Sequence, residues 1–120
     1  MSVTSVYSGA RLLDAWADHT WNDGLQLDRL SALDELSIRT RNNLYRIVAI
    51  APARGEVMVQ GGRFFPERTR AHLAGCSLGG SLLKARGIYV GFRMELLVGP
   101  ETIITSDVQS IEIVPAGRPH

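Results

Sequence analysis

A chain of 120 residues that is 45% hydrophobic and 21% charged can build one ordinary core without a disulfide or a structural metal. Its single cysteine, Cys76, excludes an internal disulfide, and no apolar run nears the ~20 residues of a membrane helix, so no membrane insertion is expected. The net charge of +1 hides a split: residues 1–35 carry six acidic side chains against two arginines, whereas residues 36–120 carry eleven basic against six acidic, all but Lys84 arginines. Either the acidic segment lies on the basic remainder, or that remainder offers an anion-binding surface. The start has no charged-then-apolar leader pattern, which with one cysteine points to the cytoplasm.

Along the chain, Ser8 can cap a helix beginning near Gly9 or Ala10. Leu12, Leu13, Trp16, Ala17 and Thr20 recur at helical spacing, with Arg11, Asp14 and Asp18 on the other side. Asn22-Asp23-Gly24 ends that segment. Leu25, Leu27, Leu30, Leu33 and Leu36 follow with polar residues between them, a pattern open to a second helical turn or an extended strip.

From Glu35 the period becomes two. Leu36, Ile38 and Thr40 alternate with Ser37, Arg39 and Arg41, as on a strand with one buried face. Asn42-Asn43 suits a tight hairpin turn, because asparagine tolerates positive φ. Leu44–Ala51 is the return strand, Pro52–Gly55 a turn and Glu56–Gln60 a third strand. Arg63-Phe64-Phe65-Pro66 reads as a loop or bulge with two large anchors. Thr69–Ser77 alternates again, and Ile88–Val98 carries the strongest strand pattern, with Phe92, Met94 and Leu96 facing one way. Thr102–Thr105 and Val108–Val114 close the series, divided at Ser106-Asp107.

Short strands joined by short turns, with no helix between them, pair antiparallel. The expected fold is mainly β: a small antiparallel β-barrel of about six to eight short strands with a short helical N-terminal segment, since closure removes exposed edges. The expected layout is a helical docking segment at residues 1–35, a barrel domain at 36–115 and a tail at 116–120. Twelve glycines suit the many turns of such a fold.

Catalytic and metal chemistry finds little to work with. His19, His72, His120 and Cys76 are the imidazole and thiol ligands. His72 and Cys76 are four apart, a spacing that on a strand separates them by more than about 10 Å. Cys76-Ser77 precedes Gly79-Gly80, but a nucleophile elbow needs a helix to follow. No catalytic residue, metal or cofactor is assigned, and the chain is read as non-enzymatic. Anion binding has more support. Arg39, Arg41 and Arg46 flank the first hairpin beside Tyr45, and Arg63, Arg68 and Arg70 surround Phe64-Phe65, the mixture that binds phosphates or single-stranded nucleic acid.

Two resemblances follow from these motifs. Arg39-Thr40-Arg41-Asn42, Gly61-Gly62-Arg63-Phe64-Phe65-Pro66, Ser77-Leu78-Gly79-Gly80-Ser81 and Gly91-Phe92-Arg93-Met94-Glu95 resemble a group of short, uncharacterised bacterial proteins, over roughly residues 36–114. That resemblance implies no function. Ser77-Leu78-Gly79-Gly80 is also similar to the S-x-x-G half of a motif in PilZ domains, which are barrels that bind cyclic di-GMP. The acidic or asparagine position of that motif is Gly75 here, and Arg41 and Arg46 stand five apart where the PilZ pattern has four. The resemblance would make Arg41, Arg46 and Ser77 ligand contacts.

Both tryptophans, Trp16 and Trp21, lie before the strands. The leading expectation is therefore a small binding or assembly module that docks on a protein partner, or self-associates as a homo-oligomer, through Leu12, Leu13, Trp16 and Trp21. The alternative is a nucleotide- or nucleic-acid-binding barrel that takes cyclic di-GMP or single-stranded RNA on the arginine face: Arg39, Arg41, Arg46, Arg63, Arg68, Arg70 and Ser77.

Overall fold

The computed structural model describes residues 23–78 and 82–114. The expected helix with Leu12, Leu13, Trp16 and Trp21, and the tail from residue 116, lie outside the described residues. Among the described residues there are nine strands, two 3₁₀ turns and no α-helix. The strands are β1 (Gly24–Gln26), β2 (Glu35–Thr40), β3 (Leu44–Ala51), β4 (Glu56–Gly61), β5 (Phe65–Ser77), β6 (Leu83–Ala85), β7 (Gly87–Tyr89), β8 (Arg93–Val98) and β9 (Glu101–Val114).

Strands β2, β3, β4, β5, β8 and β9 pair antiparallel in that order, and β9 pairs back on β2, so six strands close into a ring. The chain order is almost that of the ring, because hairpins are the shortest route between antiparallel neighbours. The β6–β7 segment interrupts it: β6 adds to the far end of β5, and β7 leaves to pair with β1.

Alternation dictates what faces the interior. In β2, Leu36, Ile38 and Thr40 are buried, and in β3 Tyr45, Ile47 and Ala49 are. Val57, Val59, Leu73, Met94 and Leu96 complete the lining of a single core. Two members come from outside the ring, Leu27 and, in β7, Ile88. Leu27, in the 3₁₀ turn Leu27–Arg29, is fully buried among these residues, and its N–H donates to the carbonyl of Arg86 at 2.7 Å. The stretch 25–36, open between helix and strip in the sequence, is thus a short strand, one 3₁₀ turn and a loop.

Four local expectations change. The β2–β3 turn does form at Asn42-Asn43, but the positive φ among described non-glycine residues falls only on Leu33 and Arg86. Thr40 closes the turn instead: its hydroxyl accepts from the N–H of Asn43 at 3.1 Å. Phe64 and Phe65 are not paired anchors; Phe65 opens β5 and is buried, whereas Phe64 is 62% exposed. The strand expected over Ile88–Val98 splits, because Gly87–Tyr89 takes β1 as its partner and the chain turns at Val90–Phe92 before β8 begins. Conversely, Ser106-Asp107 does not divide the last strand. β9 runs unbroken, pairing with β8 along its first half and with β2 along its second.

Candidate functional site

Cys76 and Ser77, the pair considered for nucleophilic chemistry, are both buried. Cys76 is fully buried in a small cluster with Tyr89 and Phe92, and burial pushes its thiol up to about 12. A thiol so protonated is a poor nucleophile at neutral pH. Ser77 is also fully buried, and its hydroxyl donates to Oε2 of Glu95. A register shift between Leu73 and Gly75 rolls β5 over, so His72 faces outward while Cys76 faces inward. The even spacing of the two residues therefore does not put them on one face, because the bulge breaks the period of two.

The arginine face expected from the sequence divides in two. Arg39, Arg46, Arg68 and Arg70 are exposed on the outer side of β2, β3 and β5. There Nε of Arg46 lies 3.5 Å from Glu35, and Nη2 of Arg70 lies 3.5 Å from Glu56, which also meets Nε of Arg54 at 3.6 Å. Arg63 is exposed in the turn between β4 and β5. Ser77, buried, is not on this face.

Arg41 belongs elsewhere. It stands at the β2–β3 turn, where Nη2 meets Oδ2 of Asp107 at 3.1 Å. The other oxygen of that carboxylate meets Nε of Arg93, the first residue of β8, at 3.4 Å. The N–H of Arg41 also donates to the carbonyl of Asp107 at 3.0 Å. Beside them the N–H of Asn42 donates to the Ser106 hydroxyl, which donates in turn to Thr40 Oγ1 at 2.9 Å. Arg41, Asn42, Arg93, Ser106 and Asp107 line a polar cleft of about 320 Å³. Arg93 was not among the arginines singled out by sequence, because nothing local links it to Arg41. Only the pairing of β9 with both β8 and β2 brings them to one aspartate.

A second cleft, of about 450 Å³, opens where β1 meets β9; Leu25, Val90, Ile111 and Ile113 supply its apolar wall, and Asp23 and Gly24 its rim. Ile113 pairs with Leu36 and Ile111 with Ile38, both core residues, so the two isoleucines share the inward face. Yet Ile113 is 46% exposed, an inward residue that the ring leaves uncovered. The Asp23 carbonyl accepts from the N–H of Val90 at 2.9 Å, which holds Asp23 at the rim of the cleft.

No family model, no curated protein and no solved structure matches this chain.

Proposed function

We propose that this protein is a non-enzymatic assembly module: a small β-barrel that self-associates by seating the N-terminal segment of one copy in the β1–β9 cleft of another. The observation that carries this reading is Ile113, aimed inward yet half exposed in the wall of a cleft whose rim is Asp23 and Gly24. An uncovered apolar wall of this kind calls for an occupant. The segment that joins at its rim has Leu12, Leu13 and Trp16 at helical spacing, a face of matching chemistry. A closed ring also offers few strand edges for assembly, which leaves side-chain surfaces to do it.

Sedimentation of the full chain at micromolar concentration tests this. A dimer is expected, weakened at least about tenfold by Trp16→Ala or by Ile113→Asp. Point variants are required because a truncation reaching residue 27 removes part of the core. A monomer at all concentrations overturns the reading. So does a dimer indifferent to both variants.

A further inference from the structure

We infer that the cleft between the β2–β3 turn and the start of β8 is a binding site for a phosphate group, with Arg41 and Arg93 as its two forks. The inference does not depend on self-association. It rests on how the two guanidinium groups are held and on what remains of them once they are held.

Each arginine has five N–H donors; Arg41 gives one to a hydrogen bond on Oδ2 of Asp107, and Nε of Arg93 stands beside Oδ1 as an ion pair at 3.4 Å. The aspartate therefore orients both groups without consuming either. It also leaves two positive charges against one negative, since Asp107 is the one acidic residue among the described residues that line the cleft. The Thr40–Ser106–Asn42 hydrogen bonds fix the turn that carries Arg41, while Arg93 is fixed at the head of β8 by pairing with both Ser77 and Asp107. A site whose donors are pre-oriented loses less side-chain entropy when a ligand arrives.

The other arginines that meet a carboxylate show what is particular here. Arg46 faces a single glutamate, one charge for one. Arg54 and Arg70 share Glu56, but the cleft beside Glu56 is lined by Arg70 and not by Arg54, so charge there is balanced. At Asp107 both cations line the same cleft. Two forks, one from the β2–β3 turn and one from β8, suit an anion with oxygens in several directions. A tetrahedral phosphate has them, and a carboxylate presents only one plane. The second ionisation of a phosphate monoester, near pH 6, gives it about −1.5 to −2 charges at neutral pH, more than the net charge of the cleft.

Titration of the full chain at low salt, followed by NMR of the arginine Nε–H groups, decides the matter. Inorganic phosphate is expected to shift Arg41 and Arg93 saturably, and Arg41→Gln or Arg93→Gln to weaken binding about tenfold each. Arg46→Gln is expected to leave binding unchanged. Arg41→Lys, which keeps the charge and loses the fork, is expected to fall between wild type and Arg41→Gln and guards against a folding defect. Adenosine monophosphate separates the two sources of such a group. Binding equal to that of inorganic phosphate indicates a free phosphate, and tighter binding with adenosine silent indicates a nucleotide. The inference is overturned if neither anion saturates, if Arg46→Gln costs as much as Arg41→Gln, or if adenosine alone binds as well as its monophosphate.

Discussion

Cys76 and Ser77 are adjacent, both fully buried, and neither offers a reactive group to solvent. Cys76 should also leave a mark on stability. Its thiol is held neutral by the fold, with a folded value near 12 against an ordinary 9.0. Between those values the unfolded chain loses a proton that the folded chain keeps. The contribution is thus complete below about pH 9 and is lost as pH rises toward 12, with a limiting slope of ~1.4 kcal/mol per pH unit. Burial also raises the hydroxyls of Tyr45 and Tyr89, whose ordinary value is 10.0. The window from pH 9 to 10 therefore reports chiefly on the cysteine. Urea unfolding of wild type and Cys76→Ala across that window should show a falling stability in the first and a flatter profile in the second. In native buffer, a thiol reagent should label Cys76 only as fast as the protein opens, and labelling at the rate of the unfolded chain would contradict its burial.

At the scale of the element, β5 does the most. It pairs with β4 as far as His72, with β8 from His72 onward and with β6 from Gly75, and the register shift in its β8 pairing lies between Leu73 and Gly75. Gly75 has φ of +146°, and a Cβ there would stand 2.1 Å from the carbonyl oxygen of Lys84 in β6. Backbone cannot yield as a flexible side chain can. Gly75→Ala is therefore expected to cost ~1–3 kcal/mol and to detach β6 from β5. Gly99, at φ +58° in the β8–β9 turn, has open space around it, so Gly99→Ala should cost only ~1–2 kcal/mol, the conformational penalty alone. Denaturation midpoints of the two variants, with hydrogen exchange at Leu83–Ala85, separate the steric effect from the conformational one. β9 teaches a related lesson. Ser-Asp looked like a break, but here both side chains bond outward to β2 and β8 partners, so a polar pair sits within the longest strand.

At the scale of the whole molecule, the ring and the segment before it share one core. Leu27 is the link, fully buried against residues from several strands. Leu27→Ala should cost ~2–5 kcal/mol in urea unfolding, the range of a buried leucine removed from a core that collapses only in part. If Leu27 merely rested on the surface, the cost would be well under 1 kcal/mol. The two clefts sit at junctions of this kind: one where β1 meets β9, the other where the β2–β3 turn meets β8 and β9. Each is lined by residues far apart in the chain.

Local periodicity was enough to place most of the ring. Alternation and turn residues marked β2, β3 and β4 nearly to the residue, because a half-buried strand must alternate and a tight hairpin must carry residues that can turn. The inward turn of Cys76 was not legible that way, because strict alternation puts it on the side of His72 and only the bulge in β5 turns it inward. Partner choice was not legible, since strand pairing is a contest among surfaces that local patterning does not describe. β7 deserts the strand it seemed to begin because β1 is there to receive it, and Asp107 joins a strand rather than a turn because two arginines from elsewhere meet it. The arginines could be counted from the sequence. Which of them a glutamate neutralises, and which two share an aspartate over a common cleft, depends on cross-strand register, and register exists only once the ring has closed.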